Sequence, residues 1–451
     1  MFGKTSRDCP AFHQNWGKKG PLPACGRTIA QNLLKEKLLE PRLSLPGVWI
    51  PLRQEATIDK MIRPSILPQK ICLPLQEKGN QIPLKPLVRP GSPVRKGQQV
   101  ATPDKKESLP LFSPVWGEVV ALEKSVLPWS TEPVDTIIIA PRKDEQLLPI
   151  TIPKRDFSPQ ELRSLLFRLG VIDLDLELSG KEPPITLVIN GCEVEPYLTS
   201  TERLLEEKTK EVVSGIEYLS RAVEAERAIL VVSTENRGIL EDLRDLIFSK
   251  KIELFLFPPR YPLDHPVLIR KVLGISEGKS IILELPKAVD SHEAITFRQP
   301  LTEVVVTVTG PALRNPQNIR ARIGTMLGEL VAQCDGFSID PGMIIMGGPL
   351  RGQVIHTLEV PIMRNSRGFV FLPQRNPFLQ TNCVFCGSCI DSCPQGLYPV
   401  FICEAVKSRN WGALKGLEPE NCIFCGTCSY VCPAHIPHQK YLKKAKERRG
   451  S

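Results

Sequence analysis

Short apolar runs separated by turns fill the chain between residues 70 and 141. The runs at residues 70–74, 117–122 and 135–139 are rich in apolar side chains, and a turn-rich segment lies at residues 89–98. Runs of this length, bounded by proline and glycine, are typical of β-strands. The pattern therefore predicts a small all-β module.

A helical pattern begins at Ser158. Ser158 and Glu161 have the spacing of a capping box, and Pro159 stands at the first helical position. We expect this helix to end at Gly170, a residue that favours helix termination.

Strands and helices then alternate along the chain. The predicted elements are a buried strand at residues 185–189, a helix behind a second capping box of Thr199 and Glu202, a strand at 228–232, a helix at 240–248 and a strand at 252–257. Alternation of this kind indicates a parallel sheet covered by helices. We therefore expect an α/β domain after the β module.

The remaining pattern completes a multidomain α/β chain. A strand at residues 304–308, a helix at 325–334 and a turn at 346–349 predict a second β-rich unit. The expected segments are an irregular N-terminal segment at 1–66 with a candidate helix at 28–39, the β module at 67–150, the α/β domain at 151–300, the second β-rich unit at 301–375, a cysteine-rich domain at 376–441 and a basic tail at 442–451.

The composition is that of a soluble globular chain. Hydrophobic residues make up 42% and charged residues 24% of the 451 positions. No apolar run reaches the roughly 20 residues of a membrane-spanning helix, and residues 1–20 lack the apolar core of a secretory signal. We therefore expect a cytoplasmic location unless a partner holds the chain at a membrane.

The formal net charge of +9 is densest at residues 440–449. Such a tail could contact anionic lipid, nucleic acid or an acidic protein, but a solvated, frayed end is the simpler interpretation. Because no nucleic-acid-binding signature accompanies it, we expect no nucleic acid partner.

Eight of the fourteen cysteines form two runs of identical spacing. The runs are Cys383, Cys386, Cys389 and Cys393 followed by Pro394, and Cys422, Cys425, Cys428 and Cys432 followed by Pro433. This spacing is typical of chains that hold two 4Fe-4S clusters, where the fourth cysteine of each run binds the cluster of the other run. We assign Cys383, Cys386, Cys389 and Cys432 to cluster 1, and Cys393, Cys422, Cys425 and Cys428 to cluster 2.

The residues around the cysteines agree with this assignment. Gly387 and Gly426 follow the second ligand of each run, where the absence of Cβ lets backbone amides turn toward sulfur. Residues 384–385 and 423–424 supply apolar cover, which limits access of water. Structural zinc is the alternative, but zinc sites usually pair two knuckles rather than two fourfold runs that end in Cys-Pro. With no catalytic residues recognised, electron relay is the simplest role.

The other cysteines and the histidines have simpler interpretations. Cys72, Cys192, Cys334 and Cys403 stand beside apolar residues and are interpreted as small core residues. Cys9, His13 and Cys25 could bind a metal, but their spacing matches no known site. His435 and His438 are expected at the surface. Lys96 lies in a turn similar to a lipoyl-bearing one, and we interpret it as structural.

From residue 71 to residue 441 the chain resembles RnfC, the peripheral C subunit of the Rnf electron-transport complex, which is related to the NADH-binding flavoprotein of respiratory complex I. Residues 93–98 and 113–117 resemble its barrel-sandwich module, and residues 189–198 its flavin-domain strand and loop. Residues 306–310 and 346–352 resemble its soluble-ligand-binding β-grasp module. The resemblance implies a barrel-sandwich hybrid module, a Rossmann-like flavoprotein domain, a β-grasp module and a mainly helical two-cluster ferredoxin domain.

The chain departs from the family at the flavin site. The family's glycine-rich loop before the strand that ends in Asn190 is replaced by residues 170–180, which carry three acids where phosphates would lie. A Tyr-Pro-x-Gly motif followed by Lys becomes residues 261–266, and an Asn-Val-Gly-Thr stretch becomes residues 283–289. Because carboxylates repel phosphate, we expect neither FMN nor NADH to bind. Asn190, Glu193 and Glu195 remain as remnants of the flavin site.

The resemblance implies an electron-transfer subunit of an ion-translocating oxidoreductase, on the cytoplasmic face of the inner membrane and without NADH dehydrogenase activity of its own. Its partners would be the membrane subunits and, in place of NADH, ferredoxin or another one-electron carrier. One alternative is a soluble reductase of the related cobalamin-reducing type, and another is a relay outside the complex. A scaffold with structural clusters is the third.

Overall fold

The computed structural model describes residues 45–76, 83–103, 108–130, 132–143, 156–235, 237–248, 250–374 and 379–449. The candidate helix at residues 28–39 and the candidate metal ligands Cys9, His13 and Cys25 lie outside these ranges. Among the described residues, no helix combines the length and the apolar character that crossing a bilayer requires.

Antiparallel strands form the predicted all-β module. The first nine strands are β1 Val48–Trp49, β2 Arg63–Pro64, β3 Ile71–Pro74, β4 Leu84–Pro86, β5 Pro93–Val94, β6 Gln99–Pro103, β7 Leu111–Phe112, β8 Gly117–Ser125 and β9 Val134–Pro141. The module consists of strands β3 to β9, which form two sheets with the strand orders β3-β9-β8-β5 and β4-β6-β7. Within residues 45–66, the two-residue strands β1 and β2 pair with strands of later domains, and the expected irregular segment at 1–66 stays a prediction.

The α/β domain contains the predicted parallel sheet. Its elements are α1 Pro159–Arg168, α2 Leu174–Leu178, β10 Thr186–Asn190, α3 Ser200–Glu207, α4 Thr209–Ala222, β11 Arg227–Ser233, α5 Leu240–Phe248, β12 Ile252–Phe257, β13 Arg260–Tyr261, α6 Pro266–Leu273, β14 Ser280–Glu284 and α7 Pro286–Phe297, with 3-10 turns at Arg237–Ile239 and Glu277–Lys279. Strands β12-β11-β10-β14 are parallel, and β10 and β11 are almost wholly buried.

One of the two predicted capping boxes is confirmed. Ser158 Oγ accepts a hydrogen bond from the N–H of Glu161, whose carboxylate accepts one from the N–H of Ser158 at 2.9 Å. The box at Thr199 is wrong, since its side chain makes no cap hydrogen bond. Thr199 Oγ1 instead lies 2.8 Å from Thr57 Oγ1 and 3.0 Å from Asn318 Oδ1, so the hydroxyl joins different domains.

A second sheet packs against the β module. It contains β15 Glu303–Thr309, β16 Gln317–Arg322, β17 Pro341–Met346, β18 Gln353–Ile355 and β19 Gly368–Pro373, with α8 Leu327–Gln333 beside it. The strand order is β18-β17-β19-β15-β16-β2. Buried residues of both units, such as Ile71, Val119, Val306 and Phe369, belong to one apolar core. Lys96 Nζ forms an ion pair with Glu303 at 3.0 Å, which agrees with a structural role for that lysine.

The C-terminal domain is built from helices α9 Ser388–Asp391, α10 Pro399–Lys407, α11 Thr427–Tyr430 and α12 His438–Arg449, with 3-10 turns at Trp411–Gly416 and Pro419–Asn421. The expectation of a frayed basic tail is wrong. Leu442 and Ala445 of α12 are buried in the domain core, and Lys446 lies over the ring of Phe424 at 5.1 Å. Long basic side chains here cover apolar surface and keep their charges in solvent.

We expect Gly215→Ala to lower the stability of the α/β domain. A Cβ at Gly215 would lie 1.9 Å from the carbonyl oxygen of Ala288, so α4 and α7 would have to separate. The overpacking should cost about 1–3 kcal/mol, more than the helix propensity that alanine adds. Thermal unfolding measures the effect, and Gly278→Ala, with no atom within 4 Å of its Cβ position, is the control. Equal melting temperatures for the two variants would contradict this packing.

Candidate iron–sulfur sites and the acidic cavity

The two cysteine runs have the same local backbone. Phe385 and Phe424 have φ of 50° and 52°, and Gly387 and Gly426 both have φ of 79°. The N–H of Phe385 donates to Cys383 Sγ at 3.4 Å, and the N–H of Phe424 makes the equivalent bond to Cys422. Left-handed residues at these positions turn amide groups toward sulfur, as the two glycines predict.

The structure brings together the four cysteines of each predicted quartet. Cys383, Cys386, Cys389 and Cys432 line a cavity of about 270 Å³, and Cys393, Cys422, Cys425 and Cys428 line a second one. In the described ranges, no three His, Cys, Asp or Glu side chains converge closely enough to hold a single metal ion. The thiols instead surround a space, and a donor set of four sulfurs around a space fits a cluster.

Burial and neighbouring hydroxyls tune these thiols. Burial raises the pKa of Cys422 to about 11 and also raises the pKa of Cys425 and Cys428. Thr427 Oγ1 lies 3.2 Å from Cys425 Sγ, and Ser388 Oγ lies 3.4 Å from Cys386 Sγ. Because thiolates are the ligands, loading of the site must release the protons that burial retains.

The two equivalent loops differ in their surroundings. In the second run, Ile423 packs with Tyr261 and Ile50, and Cys425 is 7% exposed. In the first run, Val384 and Phe385 are 66% and 70% exposed, and Cys386 is exposed as well. The cluster 2 loop is thus covered by the body of the chain, whereas the cluster 1 loop faces solvent.

The outcomes for the other cysteines and histidines are mixed. Cys72, Cys192, Cys334 and Cys403 are buried, as a core role requires. His435 is exposed, as expected. The expected surface position of His438 is wrong, because it is 1% exposed and lines the cluster 1 cavity. Its Nδ1 lies 3.0 Å from Cys403 Sγ, so packing between α10 and α12 buries both side chains.

A larger cavity of about 330 Å³ lies at the carboxyl ends of β10 and β14. Its polar lining includes Asn190, Glu193, Glu195, Asp264, Glu284, Arg351 and Arg367. Ligands of α/β sheets bind at this edge, so the cavity occupies the place of the predicted flavin site. Asn190 lies at its floor, where its Nδ2 donates to the carbonyl of Asp264 at 2.9 Å.

Protein carboxylates engage both arginines of the cavity. Arg351 Nε lies 3.0 Å from Glu195 Oε2, and the same guanidinium contacts Asp264. Arg367 forms an ion pair with Glu284 at 2.6 Å. Glu195 also accepts the N–H groups of Leu350 and Arg351 at 2.6 and 3.0 Å, and a Cβ at Gly348 would lie 1.7 Å from its side chain. The glycine of this turn therefore makes room for a protein carboxylate.

The acids of residues 170–180 do not line this cavity, which corrects the expectation that they stand where phosphates would lie. Asp173 caps α2 through the N–H of Leu176, and Asp175 forms an ion pair with Arg163 at 2.8 Å. The carboxyl groups that line the cavity are instead those of Glu193, Glu195, Asp264 and Glu284. Of these, Asp264 and Glu284 lie in the two segments whose motifs depart from the family.

Two neighbouring carboxyls are buried and hold protons strongly. Burial raises the pKa of Glu193 to about 7, although the N–H of Thr201 donates to it at 2.8 Å. Burial and the charge of Glu193 raise the pKa of Glu202, 3% exposed, to about 8. Arg367, which lines the cavity, was not predicted as a site residue. Arg351 lies within the family motif at residues 346–352, which could have indicated it.

Comparison with known proteins adds four family matches. Residues 45–144 match the RnfC barrel sandwich hybrid domain, 173–284 the Nuo51 FMN-binding domain, 305–352 the SLBB domain and 381–436 a 4Fe-4S dicluster domain. The last match confirms iron–sulfur clusters as cofactors of this chain, and the assignment of particular cysteines to each cluster stays a prediction. Because the FMN-binding domain is also matched, the loss of FMN stays a prediction.

Two relatives are similar over most of the chain. The C subunit of the ion-translocating oxidoreductase complex of Rhodobacter capsulatus is 30% identical over 377 residues, which cover 77% of this chain and 71% of the relative. The C subunit of the Na(+)-translocating ferredoxin:NAD(+) oxidoreductase complex of Acetobacterium woodii is 27% identical over 81% of this chain and 87% of the relative. The solved structure of an air-oxidized NAD+-reducing [NiFe]-hydrogenase aligns with 64% of this chain and 66% of its own at 12% identity, with a TM-score of 0.45, too distant to bear on function.

The domains and the two thiol quartets define an iron–sulfur electron-transfer protein. The chain belongs to the RnfC family, the C subunits of Rnf-type ion-translocating oxidoreductase complexes. The family predicted from the sequence is thereby confirmed.

We expect Glu202→Gln to stabilise the chain only at high pH. The pKa of Glu202 is raised in the folded state. Its contribution to the free energy of unfolding is therefore fully present below its ordinary pKa of 4.5 and is lost as the pH rises through about 8. Glutamine cannot ionise, and the variant should gain roughly 3 kcal/mol in free energy of unfolding near pH 9 and little near pH 5. Denaturant titrations at both pH values measure this, with the exposed Glu241→Gln as control. A gain that is equal at both pH values would contradict the buried, protonated state.

Proposed function

We propose that this chain is a peripheral subunit that relays electrons through two 4Fe-4S clusters within a membrane-bound Rnf-type complex. The observation that carries the proposal is the pair of quartets, in which Cys432 and Cys393 each lie with the three cysteines of the other run. Membership of the RnfC family supports membrane subunits as partners. We place the chain on the cytoplasmic face of the inner membrane, and assign the six-stranded unit to the β-grasp type and the C-terminal domain to a mainly helical ferredoxin type.

When bound, the clusters supply one-electron chemistry at potentials that depend on charge, hydrogen bonds and exposure. The eight thiolates hold them, and the amides of Phe385 and Phe424 donate to ligand sulfurs. Apolar cover at Ile423 and Phe424 excludes water from cluster 2. The chain therefore positions both clusters and gives them different exposure to solvent, with more apolar cover around cluster 2.

The exposed loop of cluster 1 supports a protein contact at that end. Val384 and Phe385 project beside the exposed Cys386, and Leu379 nearby in sequence is 82% exposed. Exposed apolar residues beside a redox centre shorten the path to a partner and exclude water when covered. We infer that ferredoxin or another one-electron carrier exchanges electrons with cluster 1.

We infer from its lining that the acidic cavity holds neither FMN nor the phosphates of NADH. Four carboxyl side chains line it, and both arginines form ion pairs with carboxylates. A phosphate at Arg351 would have to displace Glu195 or Asp264, whose side chains are only 5% and 10% exposed, and would leave that carboxylate without its cation, which is costly in a buried site. We infer that the chain keeps the FMN-binding fold without binding the flavin or oxidising NADH.

We expect the anaerobically purified full chain, reconstituted with iron and sulfide, to contain two clusters and no stoichiometric FMN. Dithionite should reduce the clusters and NADH should not. Metal, sulfide and flavin analysis with EPR of the reduced protein test this. One FMN per chain with cluster reduction by NADH would contradict the inferred loss of the flavin site. Zinc without inorganic sulfide would overturn the relay itself.

We expect Phe385→Ser to weaken electron exchange with reduced ferredoxin about fivefold or more, since truncation of an interface aromatic typically costs over 1 kcal/mol. Stopped-flow reduction of the clusters at varied ferredoxin concentration measures it, with the cluster EPR signals unchanged. Phe248→Ser, on a side chain that is 93% exposed on α5, is the matched control. Equal rates for the two variants would exclude this loop as the contact.

A further inference from the structure

Tyr261 connects the α/β domain to a ligand of cluster 2. It is fully buried, and its Oη donates to the backbone carbonyl of Cys425 at 2.6 Å. Its ring packs in an apolar group with Ile50, Val194 and Cys425. The contact joins β13 to the second cysteine run across 164 residues of sequence.

Arg351 connects the same tyrosine to the acidic cavity. Its guanidinium carbon lies 5.4 Å from the centre of the Tyr261 ring, and the guanidinium is held by Glu195 and Asp264. The adjacent carbonyl of Leu350 would lie 3.0 Å from a Cβ at Gly426, so this turn also abuts the cluster 2 loop. A continuous series of contacts therefore runs from the cavity carboxylates to Cys425.

These contacts lie in a buried region, where they can stabilise or destabilise the charge that reduction adds to cluster 2. Reduction adds one negative charge to a cluster, and hydrogen-bond donors or cations nearby favour the reduced form. Tyr261 directs its hydroxyl proton toward the ligand residue. Arg351 supplies a positive charge that two carboxylates balance, so the net charge beside cluster 2 depends on the cavity wall.

We propose that Tyr261 and Arg351 form a bridge through which the charge of the acidic cavity sets the reduction potential of cluster 2. The proposal rests on the proposed cluster function. Both are positioning residues that act through Cys425 and touch no substrate. Cluster 1 is an internal reference, because Cys386, the equivalent of Cys425, is exposed and lies in a loop without such cover.

Redox titration of the reconstituted full chain, followed by EPR, tests the bridge. Tyr261→Phe keeps the ring and removes the donor, and should move the potential of cluster 2 to a lower value while cluster 1 stays unchanged. Arg351→Gln leaves Glu195 and Asp264 without their cation and should produce a larger shift in the same direction. Arg351→Lys should restore part of it, and adding Glu195→Gln to Arg351→Gln should reverse part of it. Cys386→Ser and Cys425→Ser assign each EPR signal to its cluster.

Arg142→Gln, at an exposed ion pair with Glu118, is the matched charge control and should move neither potential. Unchanged cluster 2 potentials in Tyr261→Phe and Arg351→Gln, with both clusters titrating normally, would overturn the bridge and leave the proposed function standing. Equal shifts in the reduction potentials of both clusters would also overturn the bridge, because a general loss of packing in the variant would affect both clusters alike. Redox-silent clusters in the unmodified chain would overturn the proposed function and the bridge together.

Discussion

Each quartet of cysteines combines three thiols of one run with the fourth thiol of the other. Cys432 lies with Cys383, Cys386 and Cys389, and Cys393 lies with the second run, so neither site is complete within a continuous segment. The helices between the runs must therefore be in place before either quartet can close. Helix α12, which follows the second run, packs Leu442 and Ala445 into the same domain core, and His438 at its start is buried beside Cys403. A domain of this kind couples folding to loading with metal.

The cluster 2 loop packs against the body of the chain. Ile423 and Cys425 meet Tyr261, Val194 and the early segment around Ile50, while the equivalent loop of cluster 1 stays exposed. Two sites with the same sequence spacing thus acquire different surroundings. The difference gives the relay a covered end beside the acidic cavity and an open end toward solvent.

Sequence reasoning found what local patterns encode. The spacing of the cysteines, the left-handed glycines Gly387 and Gly426, and the alternating elements of the α/β domain all depend on neighbours within a few residues. It failed where residues far apart in sequence meet. The Thr199 hydroxyl bonds to Thr57 and Asn318 rather than capping its helix, and Asp175 pairs with Arg163 instead of facing a ligand site. Acidic side chains do line the cavity, but they are not those of residues 170–180; among them, Asp264 and Glu284 meet Arg351 and Arg367 only in the folded chain.

The β module and the six-stranded sheet share one apolar core, in which Ile71 and Val119 pack in the same group as Val306 and Phe369. Arg364 adds to this union by donating to the carbonyls of Gly170 and Pro110 at 2.8 and 3.0 Å. Segments that match separate family domains therefore pack as a single structural unit. A chimera that took the β module alone from a relative would place unmatched side chains in this shared core and should be less stable than a chimera that exchanges both units together.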